Sequence, residues 1–486
     1  MTRSWWRPDP AQADAGPGRN LFKPQLKDPA CETVCRFNSD QGSLDVPLMD
    51  RLLTAAFRHN SRRLTCFKAP QPSEALPEPD RDRSYMLYLH VPFCVVLCPF
   101  CSFHRVCFRE DKATTYFNSL RREIRMAHEA GYRFSDIYVG GGTPTVMPGE
   151  LAETLELVRR LSPIDSISIE TNPDDLTPEI MSRMRDAGVT RLSVGIQSLD
   201  DKLLKQMERY DKYGSAATVM QRLEGAEGFF ETLNADMIFN LPEQDEASLL
   251  RDVDLITHQA GVNQVTFYPL MSAASTQRKM LKTMGDVNFD REGHMYRLIL
   301  DALPYEYKPS SAWCFSKSEG TVDEYVIENE AYLGLGSGSL SYLDGILYSS
   351  TFSLNHYNRQ IAAGRFGISR KQPLTRRDRL RYFMLMNLFG LSLDKQMAER
   401  RYPGFFRKLA PEIHGLKLIG AVRDKGDRLV LTRYGMRIWI LIMREFFMAV
   451  SDFRDLMRHA ITEELDSPGP LEIRLQTPEI RSPGKS

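Results

Sequence analysis

Cys94, Cys98 and Cys101 stand within eight positions of one another, in the stretch Tyr-Leu-His-Val-Pro-Phe-Cys-Val-Val-Leu-Cys-Pro-Phe-Cys-Ser-Phe that runs from Tyr88 to Phe103. Thiolates are soft ligands that suit iron–sulfur clusters or zinc. Three of them leave one place unassigned, either a corner of a four-iron cubane or a zinc valence. His104, three residues past Cys101, could close a Cys3His structural zinc site. Reading the three as buried small hydrophobes fits poorly with such clustering beside Pro92 and Pro99. The spacing alone leaves zinc and a cluster both open.

The elements that must position these thiols have two periods. Short runs rich in Val, Ile and Tyr occur near 85–91, 135–139, 166–170, 191–195, 233–239 and 264–268. Between them apolar residues recur at three and four: Phe117, Leu120, Ile124 and Ala127, then Leu151, Leu155 and Val158, then Ile180, Met184 and Ala187. Six consecutive strand–helix units predict an α/β fold with a parallel sheet and right-handed crossovers. Period alone does not decide whether the sheet curls into a partial barrel.

Ligands of parallel α/β folds bind at the carboxyl ends of the strands. There the sequence places, in order, the cysteine loop, Gly140-Gly-Gly-Thr-Pro-Thr, Glu170-Thr-Asn, Gln197-Ser, Asp236 followed by Asn240-Leu-Pro, and Tyr268-Pro. Singly each has an ordinary reading: the glycines as a tight turn, Glu170 or Asp236 in helix caps, Gln197 in a loop. Three glycines after a strand would also let a ligand pair with backbone, and without a Lys they are not a phosphate loop. Six special endings on one rim suit a catalytic site better than a structural zinc knuckle.

Composition bounds the partners. The chain has 486 residues, 42% hydrophobic and 26% charged, room for a large catalytic domain and a smaller one. Lys+Arg and Asp+Glu both number 63, so no net field recruits nucleic acid or an anionic membrane. The 8 cysteines are sparse and clustered, which points to reduced, metal-binding thiols in a cytoplasm rather than a disulfide framework. No apolar core of signal-peptide length opens the chain, and no run approaches the ~18 apolar residues of a membrane helix.

At these residues the sequence resembles the radical S-adenosylmethionine superfamily, and within it the branch of oxygen-independent coproporphyrinogen oxidase. The resemblance runs from about Tyr85 to Tyr348 and rests on the cysteine spacing with Phe100 before the third cysteine, Gly-Gly-Gly-Thr-Pro-Thr at 140–145, Glu170-Thr-Asn-Pro, Ser193-Val-Gly-Ile-Gln, and Asp236-Met-Ile-Phe-Asn-Leu-Pro. It implies a partial (βα)6 parallel barrel. It also implies a 4Fe-4S cluster on Cys94, Cys98 and Cys101, whose open iron chelates S-adenosylmethionine and whose electron cleaves the sulfonium. By the same resemblance Gly141, Gly142 and Thr143 border the methionine end, while Tyr88, Phe100, Glu170, Gln197, Arg209 and Asp236 line the cofactor site. Arg209 stands twelve residues past Gln197, as in the oxidase, where a second S-adenosylmethionine binds. Gly334, Gly336 and Gly338 fit the family's late glycine segment or a simple turn.

Two departures narrow the branch. Phe103 stands where the oxidase has an extra cysteine, and Asn240 replaces the usual Gly of its Gly-Leu-Pro. Phe267-Tyr-Pro-Leu-Met, Ala312-Trp-Cys-Phe-Ser, Ser341-Tyr-Leu-Asp-Gly, Thr351-Phe-Ser-Leu and Met443-Arg-Glu-Phe-Phe are similar to the heme-utilization radical proteins of the HutW/ChuW type. The resemblance implies a methyltransferase that opens heme without oxygen and releases iron, served by an electron donor such as flavodoxin or ferredoxin. A coproporphyrinogen III dehydrogenase and a non-catalytic heme chaperone are the alternatives.

Four segments are expected: an irregular arm and linker at 1–80, a core at 81–365, a winged-helix-like cap of helices and hairpin at 366–460, and a disordered tail at 461–486. Within the arm, Cys31 and Cys35 read as a structural pair, and Leu48, Leu52 and Ala55 have helical spacing. Arg376-Arg-Asp-Arg-Leu-Arg opens a helix with a solvated basic face. The run Gly-Ala-Val-Arg-Asp-Lys-Gly-Asp-Arg-Leu-Val-Leu-Thr from Gly420 reads as a β-hairpin.

Overall fold

Six strands lie side by side in chain order, all parallel: β1 (Tyr85–Val91), β2 (Phe134–Gly141), β3 (Ser166–Thr171), β4 (Arg191–Gln197), β5 (Thr232–Phe239) and β6 (Gln264–Pro269). The structure is a computed structural model that describes residues 48–68, 76–318, 331–459 and 461. Cys31, Cys35, the arm before residue 48 and the tail from 462 lie outside the described residues. Because the strand order never reverses, right-handed crossovers put every connecting helix on one face and leave the other as a lumen.

The strand period of two divides the residues between those faces. In β3, Ile167, Ile169 and Thr171 are buried, whereas Ser166, Ser168 and Glu170 on the other face are half-buried. The helix Glu110–Glu129 buries Ala113, Phe117, Leu120, Ile124 and Ala127, the three-and-four spacing expected of it. Deep in the lumen the side chains are polar and bonded to one another. Arg191 Nε donates to Gln264 Oε1 at 2.7 Å, and Gln264 Nε2 to Ser316 Oγ at 2.7 Å. Towards the carboxyl ends Glu170, Gly195, Gln197, Asp236 and Tyr268 are only half-buried, so the lumen opens on that rim.

Strands that the sequence reading did not name extend the sheet to twelve. Tyr332–Leu335 lies parallel to β1 and leads into Leu340–Leu343, Ile346–Ser350 and Ile368–Pro373, which run antiparallel in turn. Beyond β6, Cys314–Ser316 pairs antiparallel. The C-terminal part holds the helix Arg376–Phe389, the expected hairpin as Val422–Lys425 and Arg428–Leu431, and the last helix Arg433–His459. Arg377 and Arg381 of the basic run both bond to Glu412.

The helix Leu48–Leu64 lies along the last helix, where Arg58 Nε donates to Glu445 Oε2 at 2.7 Å. Next to that pair, Arg444 Nη1 donates to Glu292 Oε1 at 2.8 Å and Nη2 to Glu445 Oε1 at 3.0 Å, all three side chains being almost fully buried. Among the described residues no helix is long and apolar enough to cross a membrane.

Candidate active site

The cysteine loop leaves β1 at Pro92 and is pinned at both ends by backbone. Phe93–Cys94 pairs with Val106–Cys107, Phe108 N–H donates to Cys94 O at 2.8 Å, and Thr143 N–H donates to Phe93 O at 2.7 Å. Cys94 is buried, while Cys98 and Cys101 are partly exposed. Burial pushes the Cys94 thiol up to about 11; the nearby Cys101 and Cys98 add to that, and a 3.5 Å bond from Thr143 Oγ1 opposes it. A thiol in such a place ionises when a cation binds it.

Among the described residues no three His, Cys, Asp or Glu side chains gather around a single-ion position. The buried His104 ring stacks on His90 with centroids 5.7 Å apart, meets Phe352 at 4.4 Å, and has Nε2 3.3 Å from Ser337 Oγ. A cubane takes one thiolate per iron and so spreads its ligands further apart than one ion does. Cys107 is exposed, and Cys314 is buried in the sheet opposite Thr266.

Around the loop stand the other expected residues. Glu170 Oε2 accepts from Gly141 N–H at 3.1 Å and Oε1 from the Tyr138 hydroxyl at 3.0 Å. A Cβ on Gly140 would sit 2.7 Å from Glu170 Oε1, and Gly141, at φ +120°, faces the His90 ring. Gly142 N–H is taken by Val91 O at 2.8 Å. The N–H groups of Gly141 and Gly142 are thus already paired within the protein. Their small size lets Glu170 and the cysteine loop close over them.

Arg209 is buried, donates Nη1 to Cys98 Sγ at 3.5 Å and Nη2 to Gly195 O, and lies over the Tyr213 ring at 4.4 Å. Gln197 sits at φ +75° after a register shift in β4, its amide against Gly195. Asp236 accepts from Ser193 Oγ and Asn234 Nδ2, both at 2.8 Å. Register sets Glu170 beside Ser193 and Gly195 beside Asp236, so Glu170, Gln197, Arg209 and Asp236 occupy one rim. The ring of Tyr88 stacks 6.2 Å from that of Tyr138, whose hydroxyl holds Glu170. Tyr88 lies lower in β1, its hydroxyl 2.9 Å from His90 Nδ1, and Phe100 packs with the apolar group of Leu203, Leu204 and Met207.

Neighbours of the site include Asn172, named in the sequence only as a strand end, and Lys212 and Asp252, which the sequence reading did not name. Asn172 Nδ2 bonds to Thr143 Oγ1 at 2.8 Å, and Lys212 Nζ to Val96 O in the cysteine loop at 3.0 Å. Lys212 follows Arg209 by three and shares the Tyr213 ring, a spacing that could have flagged it. Asp252, pushed up to about 7 by burial, holds Leu199 N–H and Ser198 Oγ just past Gln197, at 2.8 Å each. The replacement of Gly by Asn240 has a backbone reason: φ is +65°, a region that Asn tolerates better than other side chains. The late glycines wrap the hydroxyl of Tyr116 and the ring of His104.

The sequence matches the Radical SAM superfamily over residues 88–256. It is 31% identical over 272 residues to the heme chaperone HemW of Mycobacterium tuberculosis, an alignment of 53% of this chain and 69% of the relative. It is 27% identical over 338 residues to the anaerobilin synthase of Escherichia coli O157:H7, covering 66% of this chain and 75% of the relative. The solved coproporphyrinogen III oxidase (HemN) of Escherichia coli superposes with a TM-score of 0.61 at 19% identity, over 81% of this chain and 93% of the other, a likeness of fold.

Proposed function

We infer the reaction from one premise: the chain belongs to the radical S-adenosylmethionine superfamily, in the branch that includes coproporphyrinogen III oxidase and its relatives. Within that branch we propose that it opens the heme macrocycle without oxygen, by radical methyl transfer, and frees the iron. On this reading Cys94, Cys98 and Cys101 would hold a 4Fe-4S cluster, with the methionine end of S-adenosylmethionine by Gly141, Gly142 and Thr143. When bound, these cofactors supply the electron that splits the sulfonium and so begin radical chemistry.

The protein's part is placement. Glu170, fixed by Gly141 N–H and the Tyr138 hydroxyl, presents an oriented acceptor at the strand ends. Arg209 presents a buried positive charge to the Cys98 sulfur and the rim. Asp236, held by Ser193 and Asn234, is an acceptor set by its neighbours before any ligand arrives. A small one-electron carrier, a flavodoxin or ferredoxin, would reduce the cluster, and a second S-adenosylmethionine would supply the methyl group.

Phe103 carries the choice of heme opening over decarboxylation. It stands where the oxidase has a further cysteine, is 41% exposed, and lies under the Arg454 guanidinium at 4.5 Å. A decarboxylase must bring a propionate to the radical, whereas ring opening needs a carbon radical delivered to the macrocycle, so the product masses differ in kind. The test is anaerobic incubation of reconstituted protein with reductant, S-adenosylmethionine and either heme or coproporphyrinogen. We expect a methylated, opened tetrapyrrole, 5′-deoxyadenosine and S-adenosylhomocysteine, loss of the Soret band, and free iron, all abolished by Cys98→Ala. Carbon dioxide from coproporphyrinogen without methylation would overturn this in favour of the oxidase. The 31% identity to HemW favours a second reading, a heme chaperone, whose outcome is tightly bound but unaltered heme.

A further inference from the structure

We propose that the last helix reaches back across the chain to hold the cysteine loop, and that Arg458 is the positioning residue through which it does so. Ser451, Arg454, Asp455 and Arg458 recur at three and four in the helix Arg433–His459 and so form one stripe. That stripe faces the stretch just past Cys101. Arg458 Nη2 donates to the carbonyl of Ser102 and, at 2.6 Å, to that of Phe103. Ser451 Oγ lies 3.0 Å from Ser102 Oγ, and Arg454 covers the Phe103 ring.

The arginine is itself braced. Its Nη1 bonds to Asp455 and, at 3.1 Å, to Ser275 Oγ, while Asp455 accepts from Ser275 N–H at 2.8 Å and Oγ at 2.5 Å. Its side chain is only 14% exposed, so water competes poorly for the two carbonyls. The rest of the loop is tied by nearer residues: Cys94 through Phe108 and Thr143, Val96 O through Lys212, and Cys98 O through Arg105 Nη2 at 2.5 Å. The Cys101 end has its own N–H on Cys98 O at 3.4 Å and His90 Nε2 2.9 Å from His104 O, and to these Arg458 adds a bond that spans 356 residues of sequence. A cubane needs all three thiolates at once, so a loose Cys101 should release iron. The inference rests on the cluster reading, and its consequence is that the C-terminal cap is part of the cluster's holder.

The test compares wild type, Arg458→Met and Arg458→Lys, each reconstituted anaerobically with iron and sulfide. For Arg458→Met we expect iron to be stripped by a chelator about 10- to 100-fold faster, the usual consequence of losing an outer contact to a metal site. The electron paramagnetic resonance signal of the reduced cluster should also change. Arg458→Lys, able to serve one carbonyl, should recover part of both. Circular dichroism of the metal-free proteins checks folding. Should Arg458→Met not fold, Ser451→Ala, which loses only the Ser102 hydroxyl contact, should still speed stripping. Wild-type stripping rate and resonance in the folded variants would overturn the proposal and leave the cluster reading standing. A wild-type protein that takes up no cluster would overturn both.

Discussion

Replacing Gly140 by Ala isolates the seat of Glu170. Gly140 lies outside the left-handed region, so Ala meets no backbone strain, and the three atoms nearest the added Cβ all belong to Glu170. It would stand 2.7, 2.9 and 3.0 Å from Oε1, Cδ and Oε2 of Glu170, so the carboxylate must shift from its seat. Two hydrogen bonds go with it, from Gly141 N–H and the Tyr138 hydroxyl. Bonds to a charged group contribute ~1.5–3 kcal/mol each. Glu170 is half-buried and water will offset part of the loss, which leaves about 2 kcal/mol, or roughly 30-fold in S-adenosylmethionine affinity if the carboxylate orients that ligand. The assay is equilibrium binding of S-adenosylmethionine to cluster-loaded protein, across a cycle of Gly140→Ala, Glu170→Ala and the double variant. With the carboxylate gone, Gly140→Ala should cost almost nothing further. Wild-type affinity in Gly140→Ala, or an equal cost in both backgrounds, would refute the reasoning.

Other consequences are as direct. Arg444→Met strands the buried Glu292 carboxylate and should cost about 3–5 kcal/mol in urea unfolding of the metal-free protein, most of it regained in the Glu292→Gln/Arg444→Met pair; equal stability of wild type and single variant would count against the network. Asp252, raised from 3.8 to about 7 by burial, keeps its proton in the folded state to higher pH than in the unfolded one. Its contribution to stability is therefore full below about pH 4 and lost as pH rises to about 7, so wild type should lose about 1.4 kcal/mol per pH unit relative to Asp252→Asn across that window. A flat difference between pH 5 and 7 would refute it. Cys107→Ser changes an exposed thiol and should leave iron content as in wild type; a fall would show that the ligand set is wrong.

What the sequence made legible is what repeats or is local. The two-residue period placed β1 to β6 within a residue or two, and the three-to-four-residue period marked helices between the first of them, because each strand meets its helix through side chains a short way along the chain. Strand ends were legible for the same reason, since a parallel sheet must present Glu170, Gln197 and Asp236 at one rim. The extension at 332–373 was not. Its strands are short, and in Ile368–Pro373 five of the six residues are half-buried, without the alternation that marks a two-faced strand. Asn172 was named only as the end of a strand, because its use depends on Thr143 standing opposite.

The same argument explains why the last helix gave no sign of its contact with the cysteine loop. Its apolar residues announce a buried helix, and Ile438, Trp439, Ile440, Leu441 and Ile442 are buried. Nothing in the run from Ser451 to Arg458 distinguishes arginines that face water from arginines that bind carbonyls, since both read as a charged helix end. Only the fold decides, by setting that face against Ser102 and Phe103. Phe103 then acquires two meanings at one position. In sequence it is the absence of a cysteine; in the structure its ring meets Arg454 and its carbonyl meets Arg458 of the last helix. A cysteine there could accept the Arg458 bond through its carbonyl but would offer Arg454 no ring, so the departure from the oxidase pattern and the contact with the last helix are joined in a single side chain.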